Sequence, residues 1–170
     1  MNLALLLTLL APTYIAAADV SIDADSVQQS EQRAHDLSKE WNRSSIDAAR
    51  EIFRQNAIHW VTLNKPERAI LSLNESAKLS QMLADYEGSI QSLKKARDLA
   101  SRHGLADLGA ISLSLLVLIS EEDGEKSLAK LYSEIAWSEY PQLQTDPAKS
   151  YVQFSAGMVQ YYNGTLTRCV

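Results

Sequence analysis

Between Leu73 and Leu99 the chain reads LNESAKLSQMLADYEGSIQSLKKARDL, and no other stretch narrows its fold as much. Leu73, Ala77 and Ser80 share one face of a first helix; Ser89, Leu93 and Ala96 share one face of a second. The Ala84-Asp85-Tyr86 triplet between them is too short to be anything but a tight reversal, so the two helices fold back on each other. Small residues alternate with large ones on both faces, the pattern that lets helix backbones approach closely. Gly88, near the start of the second helix, is expected to admit a neighbouring helix.

The remainder of the sequence agrees with an all-α fold. Six glycines and four prolines in 170 residues leave few breaks, and most fall near proposed turns. The 16 basic and 21 acidic residues give a net charge of −5 with no Lys/Arg run, which argues against nucleic acid and against an anionic membrane surface as partner. Residues 1–18 read as a signal peptide: an apolar run from Leu3 to Leu10, Pro12, then Ala16-Ala17-Ala18 as the cleavage pattern. The run is too short to anchor the mature chain in a bilayer, so export to a secreted or periplasmic location is expected, with cleavage near Ala18 and no integral membrane segment afterwards. The sole cysteine, Cys169, has no partner and no neighbouring base, and reads as incidental.

Taken in order, Val27, Ala34, Leu37 and Trp41 fall on one helical stripe that should stop near Asn42. Ser44 is placed to cap the next helix, whose apolar face carries Ile46, Ala49, Ile52, Phe53, Ala57 and Trp60. Pro66 suits the first turn of a third helix, His103-Gly104 ends a fourth, and the apolar run Ile111–Ile119 forms a fifth. After the acidic turn Glu121–Glu125, the sixth helix is expected to bury Leu128, Leu131, Ile135 and Trp137. Asp146-Pro147 opens a seventh, with Tyr151, Phe154, Met158 and Tyr161 on one stripe and Gly157 as a close-contact residue. Asp23 and Asp25 do not continue into a calcium loop, because Gln28 stands where such a loop needs glycine. The three histidines lie on separate segments, and no Ser-His-Asp or Cys-His arrangement can be assembled.

The helices repeat. Ala49, Ser89 and Ser127 take equivalent places at spacings of 40 and 38 residues, Phe53, Leu93 and Leu131 follow four residues later, and Leu73 with Ile111 and Ala77 with Leu115 match in the first helices. This resembles the longer-linker subset of tetratricopeptide (TPR) repeats, as in the amino-terminal parts of caspase-like CHAT-domain proteins and in kinesin light chains. The resemblance covers residues 45–164, after a lead-in and capping helix over 19–44 and before a short tail at 165–170. It implies an α-solenoid of about seven helices in antiparallel pairs, whose first helices line a concave groove. It further implies that Asn74, Lys78, Gln81, Ser112, Tyr151 and Tyr162 face that groove and hold a peptide or protein.

The resulting expectation is an exported protein-interaction scaffold without catalysis, cofactor or metal. Two alternatives stand beside it: the amino-terminal sensor region of a larger enzyme such as a CHAT-type peptidase, and a helical bundle that self-associates. For the bundle, self-association would run through Tyr151, Phe154, Met158 and Tyr161. That stripe has a second reading, as the core face of a helix whose hairpin partner is missing.

Overall fold

A computed structural model describes residues 22–162 and Gly164; the proposed signal peptide, Cys169 and the 165–170 tail lie outside the described residues. The described chain is all-α, seven helices packed consecutively into a solenoid-like stack. They are α1 (Ala24–Ser38), α2 (Arg43–Thr62), α3 (Pro66–Met82), α4 (Tyr86–His103), α5 (Ala106–Glu122), α6 (Lys126–Glu139) and α7 (Asp146–Tyr162), with a 3₁₀ turn at Tyr140–Gln142. Each helix packs against the next, α5 also packs against α7, and α3 touches α5.

The stack keeps phase because four of its turns are built the same way. Asn64, Ala84, Gly104 and Gly124, spaced 20 residues apart, all have positive φ. The residue after each one returns a backbone N–H to the helix it has just left: Lys65 to Trp60, Asp85 to Ser80, Leu105 to Ala100 and Glu125 to Ser120, at 2.8–2.9 Å. This is the bond of a Schellman cap, which satisfies an orphan carbonyl and fixes the exit direction of the chain. The next helix then starts at once, at Pro66, Tyr86, Ala106 and Lys126. Pro66 occupies the first turn as expected, and the Asp85 carboxylate caps α4 by accepting the Gly88 N–H at 3.0 Å.

The same period governs burial. Within each helix the core positions are spaced four, three and four residues apart. They are Ala49, Phe53, Asn56 and Trp60 in α2; Ala69, Leu73, Ser76 and Ser80 in α3; Ser89, Leu93, Ala96 and Ala100 in α4. Gly109, Leu113, Leu116 and Ser120 follow in α5, and Ala148, Val152, Ser155 and Val159 in α7. A 4-3-4 stripe stays on one side of a 3.6-residue helix and lets ridges of neighbouring helices interlock.

Several expectations fail against this register. In α6 the buried residues are Ala129, Ser133 and Ala136, so the match to Ser89 and Leu93 falls 40 residues on, not at Ser127 and Leu131. Leu128, Leu131, Ile135 and Trp137 are instead exposed, because the helix is turned so that its small residues meet α5 and its large ones meet water. The partners of Leu73 and Ala77 in α5 are likewise Leu113 and Val117, two residues beyond Ile111 and Leu115. Trp41 leaves the core stripe: α1 ends at Ser38, and Trp41 sits in the following turn with φ 54° and 79% of its surface exposed. Asn42 does not end α1 but caps α2, accepting the Ser45 N–H at 2.9 Å, and displaces Ser44 from that role. Gly88 makes room for the Asp85 carboxylate, which a β-carbon would meet at 2.3 Å, and not for a helix. Gly157 is exposed with nothing near it; the close-contact glycine is Gly109, which clears Arg97.

One buried charge holds the first three helices. Glu31 of α1 accepts from the Trp60 indole N–H and the Ser72 hydroxyl, both at 2.7 Å, and pairs with Arg68, whose guanidinium lies 5.1 Å from the centre of the Trp60 ring. The carboxylate sits among an indole, a hydroxyl and a guanidinium, so removing it strands three donors in a low-dielectric place.

Two substitutions test these devices by chemical denaturation. Ala84→Gly relieves a β-carbon in the left-handed region at an exposed turn and raises stability by roughly 0.5–1 kcal/mol, whereas Gly104→Ala lowers it by about 1 kcal/mol. Glu31→Ala lowers stability by about 3 kcal/mol and red-shifts the fluorescence of Trp60 as its indole loses its acceptor.

Candidate binding surface

Odd-numbered helices carry a second stripe beside their core positions. In α3 it is Leu71, Glu75, Lys78 and Met82; in α5, 40 residues on, Ile111, Leu115, Leu118 and Glu122; in α7, 39 further, Ser150, Phe154, Gly157 and Tyr161. The exposure of this stripe changes along the stack. Leu71 and Met82 are 45% and 46% exposed and Phe154 58%, while Leu115 at the matching place on α5 is 6% exposed. Ile111 and Leu118 are half-buried. The middle helix is therefore recessed between two that present apolar side chains to solvent. A hydrogen bond from the Gln81 amide to the Glu122 carboxylate, 2.7 Å, spans α3 and α5 along this surface, and the Lys78 ammonium pairs with Glu75 at 2.7 Å.

Of the six groove residues implied by the sequence, two are corrected. Asn74 and Ser112 are buried, and the Ser112 hydroxyl donates to Asn74 Oδ1 at 2.8 Å. They bind α5 to α3 and are not outward residues. A polar side chain read from sequence defaults to the solvent face; here the Ser112 hydroxyl and the Asn74 carbonyl oxygen pair and remain inside, leaving the Asn74 Nδ2 without a partner among the described residues. Lys78 and Gln81 lie half-buried on α3, Tyr151 is half-buried against the core cluster around Leu113 and Val152, and Tyr162 is half exposed. The aromatic stripe of α7 is not its core face, which Ala148, Val152, Ser155 and Val159 form; Phe154 and Tyr161 are exposed and Tyr151 and Met158 half-buried. Leu71, Met82 and Ile111 were missed, and the signal that finds them is the 40-residue recurrence of the second stripe.

The end of the surface is fixed from below by Asp107, in the first turn of α5. Its carboxylate accepts the backbone N–H groups of Gln144, at 3.0 Å, and Thr145, at 2.9 Å. These bonds seat the linker from which α7 departs. The Gln144 N–H above all, with the hydroxyl and N–H of Thr145 and the charge of Lys149, holds the Asp107 carboxyl below its ordinary pKa. Glu51, on the outer side of α2, is pulled down to about 2, first by its hydrogen bonds from Arg54 and then by Gln55. It pairs within its own helix and away from this surface.

Among the described residues no group of three His, Cys, Asp or Glu side chains is placed to hold a metal ion, and no helix is long and apolar enough to cross a membrane. His35 lies edge-on against Phe53 at 4.9 Å, and His103 is exposed in the last turn of α4, so neither faces a candidate nucleophile. The fold defines an all-α helical stack. A scan of protein-family models finds none that matches the chain, and a search of the curated proteins likewise finds no match.

The Asp107 tether has a pH signature. Because its folded-state pKa is depressed, its stabilisation is complete above the ordinary carboxylate range, near pH 4, and is lost as pH falls through the lowered value. Asp107→Asn should cost about 1 kcal/mol at neutral pH, since solvent reaches this carboxylate, and should make the Gln144 and Thr145 amides exchange faster. In the parent protein the same amides lose their protection, measured against the intrinsic exchange rate at each pH, only on acidification.

Proposed function

We propose that this chain is an exported, TPR-like interaction scaffold, without catalysis or cofactor, that holds a peptide or protein segment along the surface of α3, α5 and α7. The observation that carries this reading is the recessed second stripe: apolar residues at equivalent places are exposed on α3 and α7 and sunk on α5. A segment lying across it buries Leu71, Met82 and Phe154 against side chains of its own, while Lys78 and Glu75 offer charges for register. The aromatic end at Phe154, Tyr161 and Tyr162 supplies large contact area with little side-chain entropy to lose. Export to a secreted or periplasmic site, with the leader removed near Ala18, belongs to the same proposal and rests on the apolar run and the alanine triplet.

Affinity capture from the native extract tests it. A chain carrying Leu71→Ser, Lys78→Glu and Phe154→Ala keeps its fold, because all three residues reach solvent, and should retain at least ten times less of the partner than the parent. Gln55→Ala, on the outer side of α2, should retain it fully. Equal capture by the triple variant refutes the surface.

A further inference from the structure

Taking the surface of α3, α5 and α7 as the binding site, we propose that its occupant is an amphipathic α-helix. This helix lies antiparallel to α5, with its basic end over Glu122. The surface runs along the side of the stack, and its floor is apolar. Ile111, Leu115 and Leu118 follow one another on α5 at spacings of four and three, and Glu122 is the first charged residue that the stripe reaches. The walls are α3 and α7, which each meet α5 but are not packed on each other. Neighbouring helix axes lie roughly 8–10 Å apart, so the walls stand about two spacings from each other, room for one helix of about 10 Å between their exposed side chains.

Hydrogen bonding selects a helix over an extended segment. An extended chain turns backbone N–H and C=O groups toward whatever it lies on, and each needs a partner there. The floor offers none, since Ile111, Leu115 and Leu118 have only hydrocarbon side chains. On the wall, the Lys78 ammonium is paired with Glu75 and the Gln81 amide with Glu122, both at 2.7 Å. The Ser112 hydroxyl is bound to Asn74; Asn74 Nδ2 and Ser114 Oγ have no partner among the described residues, but both are sealed from the surface. A helix meets such a floor without loss, because its backbone bonds are internal. Its apolar face, at i, i+3, i+4 and i+7, covers the three α5 side chains.

Charge sets the direction. The bonds Ser112 to Asn74 and Gln81 to Glu122 join matching heights of α3 and α5, and Asp107 joins the start of α5 to the linker before α7. The three helices therefore run the same way, and their C-terminal ends fall at one end of the surface. None of them carries a basic residue in its last turn, whereas α1, α2 and α4 carry His35, His59 and Arg102 with His103 there. Glu122 and Asp123 are exposed at that end and add two carboxylates to the negative ends of the helix dipoles. The complementary occupant brings Lys or Arg to this end. Running antiparallel to α5, it also places the positive end of its own dipole there.

Fluorescence anisotropy of three labelled synthetic peptides against the full chain tests this, each of about 18 residues to match the 17 of α5. All three share one composition of Leu, Gln and Lys. The first sets leucine at helical spacing with lysines in its first turn, the second moves the lysines to its last turn, and the third alternates leucine with polar residues at strand spacing. The parent should bind the first about tenfold more tightly than either of the others. A chain carrying Glu122→Gln and Asp123→Asn, both at exposed positions, should bind the first two within about twofold of each other. Leu71→Ser with Lys78→Glu and Phe154→Ala should weaken the first peptide by about tenfold. If the strand-spaced peptide binds the parent as tightly as the first and the triple variant loses it, the surface stands and the helical occupant falls. If the triple variant holds the first peptide as well as the parent does, the surface falls with it. Equal binding of the first two peptides to the parent overturns the direction. No binding of the first peptide by a parent that still captures a partner from the native extract overturns the helical occupant alone.

Discussion

A single backbone hydrogen bond, repeated at four turns, sets the geometry on which everything else relies. The N–H groups of Lys65, Asp85, Leu105 and Glu125 each bond back across a left-handed residue, and in each case the next helix starts one residue later. Once the phase is reset every 20 residues, the core stripe needs no large side chains to define it. Serines and alanines suffice where backbones come close; the buried Ser89 hydroxyl donates to the Ala77 oxygen at 2.8 Å, while that of Ser120 has no hydrogen-bond partner among the described residues. Where the reset is absent, after the 3₁₀ turn at Tyr140–Gln142, Asp107 takes over and seats the linker with its carboxylate.

The turns were the most legible part of the sequence because their chemistry is local. Pro66, Asp85, Gly104 and the Asp146-Pro147 pair mark helix ends whatever surrounds them. Asp85 and Gly104 sit where expected, and Asp146 is the first residue of α7. Trp41 shows the limit of periodicity: it continues the stripe of α1 on paper, but the helix has already ended. The register of the third pair misled for a related reason. Leu128, Leu131 and Ile135 have helical spacing and look like a core face, while the residues that pack, Ala129, Ser133 and Ala136, have little hydrophobic signal of their own.

The candidate surface was half legible. Lys78, Gln81, Tyr151 and Tyr162 reach solvent at least in part, but Asn74 and Ser112 pair with each other, a contact between residues far apart in sequence that no single-helix pattern can reveal. The same holds for Glu31, which reads as one more charged residue of a polar helix and is instead the acceptor that joins α1, α2 and α3. Glu31 and the Ser112–Asn74 pair act as register pins: their hydrogen bonds form only when the neighbouring helices are in phase.

The unequal seams have a kinetic consequence. Contacts run mainly between sequence neighbours, so loop closure costs little and the chain can begin to order at any well-packed pair. The seam between α2 and α3 is filled by Trp60, Ile70 and Leu73, whereas the buried residues of α6 are Ala129, Ser133 and Ala136, with Tyr132 half-buried beside them. Opening α6 from the stack therefore exposes less apolar area than opening α3, and the unit bounded by Gly124 opens locally at a lower free-energy cost than the α2–α3 seam. A protease that samples transient openings will enter there sooner than at the α2–α3 seam.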